Sequence, residues 1–145
     1  MRTYTYGALF ERGAKSGIVV TFPDVPEAIT QGRDEAEARS MATEALGMVL
    51  LTYLEQDRPL PKPTKRRKAL AAINVEPEVA AKLAVIEAFK TARITQAELA
   101  ARLGKDGREI RRILDPNHAT KLPALSQALE ALGQRLVVGV EEIAA

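Results

Sequence analysis

Cysteine is absent from this chain of 145 residues, and histidine occurs once, as His118. Disulfides, thiolate nucleophiles and cysteine-ligated zinc or iron–sulfur centres are therefore excluded. A single histidine also leaves no histidine-rich zinc site within one chain. Tryptophan is missing and aromatics make up only 4% of the residues, so the core must rest on Leu, Ile, Val and Ala. No run approaches the roughly 18 apolar residues of a membrane span. The opening MRTYTYGALF carries no apolar signal segment. The expectation is a soluble, cytoplasmic protein with no metal and no cofactor.

What is present suffices for one ordinary domain or two small ones: 46% hydrophobic and 28% charged residues. The net charge of +2 hides an asymmetry. Residues 1–60 hold six Lys/Arg against nine Asp/Glu, a balance of −3, while residues 61–145 hold fifteen against ten, a balance of +5. Basic charge gathered in one half points to a polyanionic partner there.

The first half reads as strands followed by a helix, an α+β pattern. TYTYGALF places Tyr4, Tyr6 and Leu9 near period two, and GIVVTF is rich in β-branched and aromatic residues. ERGAKSG between them is a hairpin loop signal. Pro23 and Pro26 in FPDVPE end the second strand, and AITQG supplies a third extended piece. From Asp34 the pattern becomes helical, with Ala38, Met41, Ala42, Ala45, Val49, Thr52 and Tyr53 at helical spacing. Asp34 suits an N-cap, and Glu35 and Glu37 suit the positive end of the helix.

PLPKPTKRRK then reads as an exposed connector at 61–68, because its prolines block regular structure. ALAAINV (69–75) is expected to return as a strand to the N-terminal sheet. A first domain of residues 1–60 plus that strand is thus followed by a second at 77–145. Pro77 opens a helix expected to bury Val79, Leu83, Ile86 and Phe89. Three shorter helical segments follow, and RLVVGV is expected to close the chain as a terminal strand.

Two capping boxes sit side by side in the second domain. Thr95-Gln-Ala-Glu98 and Asp106-Gly-Arg-Glu109 each place an acid three residues after a cap. Gly104 and Lys105 leave room only for a tight crossing, with Leu99, Ala100 and Leu103 facing Ile110, Ile113 and Leu114. This spacing predicts a helix–turn–helix whose second helix enters the major groove. At about 100° per residue, with Gly107 as zero, Ile110, Ile113 and Leu114 fall near 300°, 240° and 340°. Arg108 and Arg112 fall near 100° and 140°, on the opposite side, and Arg111 near 40°, on the shoulder. An arginine fork takes both major-groove acceptors of guanine, so Arg108 and Arg112 are candidate base readers. Gln96, Lys105, Arg111, Thr120 and Lys121 are candidates for the phosphate backbone.

ITQAELAARLGKDGREIRRIL resembles the helix–turn–helix of the lambda-repressor-like (XRE) family in its Thr-Gln-Ala-Glu-Leu-Ala, its turn glycine Gly104 and its apolar Ile110. That resemblance puts Gln96, Gly107, Arg108 and Arg112 at the DNA, with Gly107 standing where the family usually places a base-reading side chain. The chain as a whole resembles HicB-type antitoxins of type II toxin–antitoxin pairs. The match lies in GIVVTFPDVPEAITQGRDEAEARSMATEAL, with Phe-Pro-Asp-x-Pro, Thr-x-Gly and an Ala-rich acidic helix, and in HATKLPALSQALEALGQRLVV. The resemblance implies an N-terminal partial ribonuclease-H-like fold that binds and blocks a HicA-like mRNA-cleaving toxin. It also implies a homodimer or higher oligomer that represses its own operon by binding operator double-stranded DNA.

Other readings compete. Two-metal nuclease chemistry needs several converging carboxylates, and TYTYGALF, GIVVTF and ALAAIN contain none. Asp24, Glu27 and Asp34 read as turn and cap residues, so no enzyme is expected. His118 lies in a Pro/Asn loop with no orienting partner in sequence. KRRK at 65–68 is a solvated linker or a weak electrostatic aid to DNA binding. A stand-alone transcription regulator with an N-terminal ligand-sensing domain is the alternative function. For the toxin, the acidic half nominates Phe22, Asp24, Glu27 and Glu35, whose other reading is closing a turn and capping a helix.

Overall fold

The computed structural model describes residues 1–64 and 69–143. Its order is β1 (Thr5–Arg12), β2 (Ile18–Thr21), β3 (Ile29–Gly32), α1 (Glu35–Glu55), β4 (Ala71–Asn74), α2 (Pro77–Ala92), α3 (Gln96–Leu103), α4 (Gly107–Leu114) and α5 (Leu122–Ala131). The fold is mixed α+β and divides into two compact units, Met1–Ala80 and Ala81–Ala145. The division falls inside α2, a turn beyond the boundary expected at residue 77.

In the first unit an antiparallel sheet runs β3-β2-β1-β4. Its register pairs Phe10 with Val20 and Tyr6 with Ile73, so the returning strand expected from ALAAINV is formed at one edge. FPDVPEA becomes two consecutive turns, closed by Val25 N–H to Phe22 O (3.0 Å) and Ala28 N–H to Val25 O (2.9 Å). Each proline sits second in its turn, where its fixed φ belongs. The spacing of three buries Phe22, Val25 and Ala28 and turns Asp24 and Glu27 outward.

Asp34 caps α1 as expected, its side chain accepting from Glu37 N–H at 2.8 Å. The helix packs on the sheet with Ala38, Ala42, Leu46, Leu50, Tyr53 and Leu54 buried. Met41, expected on the apolar face, is 38% exposed, and Thr52 is exposed too. The start of the connector is anchored rather than loose. Tyr6 Oη donates to Pro61 O at 2.6 Å, and Asp24 Oδ2 accepts from Thr64 N–H and Oγ1 at 2.9 and 3.1 Å. KRRK at 65–68 lies outside the described residues.

The second unit is helical, with Val85, Leu99, Ile110, Ile113, Leu125 and Leu129 at the centre of its core. The terminal strand expected at 135–140 is not formed, and residues 134–143 carry no regular structure. A strand needs a neighbour for its backbone groups, and this unit offers the segment none. Val138 and Val140 stand 68% and 97% exposed as a result.

Candidate nucleic-acid interface

Local chemistry fixes the α3–α4 pair. Thr95 Oγ1 accepts from Glu98 N–H at 3.1 Å and Asp106 Oδ1 from Glu109 N–H at 2.8 Å, so the forward arm of each capping box is present. Between the helices, Gly104 adopts φ 63°, a left-handed conformation that glycine takes without penalty. Gly104 N–H reaches Ala101 O (3.4 Å) and Lys105 N–H reaches Ala100 O (3.1 Å), the paired bonds of a Schellman ending. Leu99, Ile110 and Ile113 are buried across the crossing, with Ala100, Leu103 and Leu114 packed around them.

Burial of Ile110 and Ile113 forces the other side of α4 into solvent. Arg108, Arg111 and Arg112 are all exposed there, together with Gly107 at the first position. Arg33–Glu37, Arg39–Glu35 and Arg58–Glu27 are ion pairs among the described residues, and none of the three engages an α4 arginine. Gln96 opens α3 and is exposed, and Lys105 is half-buried in the turn. Lys121 is the exposed N-cap residue of α5 and makes no side-chain capping bond. A Cβ on Gly107 would meet only the tip of Arg111 at 3.7 Å, so packing does not demand glycine there.

Thr120 is half-buried and already occupied, because its hydroxyl accepts from Lys82 Nζ at 2.6 Å and lies 3.3 Å from His118 Nδ1. Lys82 escaped the sequence reading although a signal existed. It falls between Val85 and Ile86 on the buried side of α2, an apolar position that a lysine occupies only with partners.

The N-terminal nominees behave differently. Phe22 is 1% exposed and belongs to the core. Asp24 holds Thr64, as above. Glu27 accepts from Tyr53 Oη at 2.7 Å and from Arg58 at 3.3 Å, while Arg58 lies 3.9 Å over the Tyr53 ring. The Tyr53 hydrogen bond is the main cause that lowers the Glu27 pKa, and burial with the same bond raises that of Tyr53. Glu35 is exposed and pairs loosely with Arg39 at 3.6 Å. These four do not form one cluster of exposed side chains.

The family model described as HicB_like antitoxin of bacterial toxin-antitoxin system matches residues 5–84, which span the whole sheet and α1. This chain belongs to the HicB-like antitoxin family. Antitoxin HicB of Escherichia coli K12 is 40% identical over 122 residues, covering 84% of this chain and 88% of that protein. Antitoxin HicB 1 of Photorhabdus laumondii is 33% identical over 141 residues, covering 97% and 90%. The likeness to the second therefore continues through the helical unit, beyond the end of the family match. Two motifs of this antitoxin have plain structural work: Phe-Pro-Asp-x-Pro builds the double turn, and the glycine of Thr-x-Gly lets α1 start against β3. Among the described residues no group of three or more His, Cys, Asp or Glu side chains is placed to hold a metal ion. No helix among them is long and apolar enough to cross a membrane.

Proposed function

We propose that this antitoxin neutralises a HicA-like, mRNA-cleaving toxin by direct binding and represses its own operon by binding operator DNA, with no catalysis of its own, in the cytoplasm. The observation that carries the DNA half is the outer face of α4. Three arginines without ion-pair partners among the described residues stand opposite Ile110 and Ile113, on a helix capped and turned as a helix–turn–helix requires. Arg108 and Arg112 read guanine edges; Gln96 at the start of α3, Arg111, Lys105 and Lys121 hold phosphates, and Thr120 places Lys121. Gly107 admits the groove closely instead of supplying a side chain. The alternating residues Arg135–Glu141 support a dimer, because antiparallel pairing with a second copy about Val138 sets Leu136 opposite Val140 and Arg135 opposite Glu141. Leu136 already packs on the helical core.

Residues 1–75 supply the toxin-binding domain and 77–145 the DNA-binding domain, and the acidic balance of the first half suits a basic RNA-cleaving partner. Glu35, exposed at the start of α1, is the best of the nominated contacts. Titration of duplexes from the chain's own promoter at fixed salt tests the DNA half. An Arg108→Ala/Arg112→Ala chain should lose roughly 1–3 kcal/mol per arginine and relax its sequence preference, while Lys121→Ala should weaken all sequences alike. Unchanged promoter affinity in the double variant refutes the assignment. Co-expression of the full chain with the product of its small genomic neighbour should restore growth and co-purify the pair. A chain that binds its promoter but ignores that product is a stand-alone regulator.

A further inference from the structure

Lys82 is the only buried charged residue among those described, at 4% exposure. Its ammonium donates to Ile113 O at 2.8 Å, Arg112 O at 3.0 Å and Thr120 Oγ1 at 2.6 Å. An ammonium has three donors, so all of them are engaged. Two acceptors are carbonyls of the last turn of α4, where the helix runs out of following N–H groups. Arg112 O also accepts from Asp115 N–H at 3.3 Å, and a cation there suits the negative end of the helix dipole. Burying a cation opposes folding, and a methionine of similar length would fill the same space without that opposition. What lysine adds is direction. Its acceptors are not spread through the core but gathered at one end of the arginine-bearing helix and at Thr120, the residue before Lys121.

We propose that Lys82 is the positioning residue of the DNA interface: its charged ammonium ties the end of α4 and the Thr120 hydroxyl to α2, and promoter recognition requires that tie. The inference rests on the operator-binding reading above. Lys82 touches no DNA itself; it sets the angle at which Arg108 and Arg112 meet the groove and the place of Lys121.

The device is pH-dependent within a useful range. Burial pushes the Lys82 ammonium down to about 8, and the charge of Asp115 opposes that shift. The other ionisable groups around it are Arg112, whose carbonyl it holds, and His118, whose Nδ1 is 3.3 Å from Thr120 Oγ1. The unfolded chain holds this proton more tightly, so between about 8 and the ordinary lysine value of 10.5 the contribution of Lys82 to folding stability rises with pH. Recognition falls around pH 8, as the folded protein loses this proton, and is largely lost by about pH 9 while stability is still rising. Fold and function therefore move in opposite directions, which a purely structural lysine would not produce.

The test uses the full chain as wild type, Lys82→Arg and Lys82→Met. Fluorescence anisotropy compares tiled duplexes from its own promoter with a random-sequence duplex, at fixed salt, from pH 7 to pH 9. Wild type should prefer the promoter at pH 7 and lose roughly tenfold of that preference by pH 9. Lys82→Met should lack the preference at pH 7 yet keep its salt dependence, since no phosphate contact is removed. Lys82→Arg, charged throughout, should restore a preference that stays flat with pH. A flat wild-type profile, or a folded Lys82→Met that keeps the preference, overturns the inference. Should Lys82→Met fail to fold, the wild-type and Lys82→Arg profiles decide. A wild type indifferent to the promoter at pH 7 overturns the operator reading instead. The amide resonances of residues 112–120 in the free protein then decide for Lys82: shifts sharing the midpoint of its Nζ titration support the tie, and invariance refutes it.

Discussion

Replacing Gly32 by alanine puts a methyl group where the first turn of α1 already stands. A Cβ built there falls 2.7 Å from Ala38 Cα and 2.8 Å from Glu37 C, and closer still to the Ala38 nitrogen. All three are backbone atoms of a capped helix, so no side chain can swing aside. Overpacking costs typically 1–3 kcal/mol, and a clash with rigid backbone belongs at the upper end, about 3 kcal/mol. For a unit of this size that lowers the melting temperature by roughly 15 °C. Gly47, inside α1, is the matched control, because its Cβ would meet Val79 Cγ1 at 3.3 Å and Cγ2 at 3.7 Å, both side-chain atoms. Alanine gains up to about 1 kcal/mol of helix propensity there, so Gly47→Ala should stay within about 1 kcal/mol of wild type. The assay is built into the composition. All three tyrosines, Tyr4, Tyr6 and Tyr53, lie in Met1–Ala80 and the chain has no tryptophan, so tyrosine near-UV circular dichroism in urea reads this unit alone. Equal losses in the two variants, or a Gly32→Ala loss below about 1 kcal/mol, would refute the reasoning.

The two glycines flanking the α3–α4 turn should part in the same way for a different reason. Gly104→Ala forces a left-handed φ of 63° on alanine and should lower the helical unit's stability by about 1 kcal/mol, whereas Gly107→Ala should be neutral or slightly stabilising by urea-induced loss of far-UV circular dichroism. Glu27, held below its ordinary value of 4.5 chiefly by Tyr53, contributes stability that is present above that value and disappears as pH falls through its folded pKa. Tyr53→Phe should therefore flatten the acid limb of the stability–pH curve, and an unchanged limb counts against the bond.

Punctuation was legible in the sequence where one residue type has one conformational use. Asp34, Thr95 and Asp106 cap the helices they were expected to cap, Pro77 opens α2, and Gly104 makes the turn. The buried face of α1 was legible only in part. The expected stripe of Ala38, Met41, Ala42, Ala45, Val49, Thr52 and Tyr53 shares Ala38, Ala42 and Tyr53 with the observed face, whose centre lies about 80° further round the helix, near Leu46. ALGMVLLTYL is apolar on nearly every side, so its periodicity cannot choose a face; the sheet chooses it. The tail failed for the complementary reason. RLVVGV has strand composition, but strand formation is a property of a pair, and its own unit supplies no second member.

The same distinction governs the charged residues. Asp24 and Glu27 occupy the third positions of the two proline turns, and this geometry aims both carboxylates at the fold's own closing contacts, Thr64 in one case and Tyr53 with Arg58 in the other. A partner that needed either carboxylate would first have to compete with those bonds. The α4 arginines face no such contact in the ion pairs among the described residues. Glu109 is the acidic residue of this eight-residue helix, and although it stands three residues before Arg112 it forms no ion pair with it. Residue type and net charge had marked both groups as candidate contacts. Geometry separates them: the carboxylates of the double turn are bound into the fold, and the guanidinium groups of α4 remain open for a polyanion.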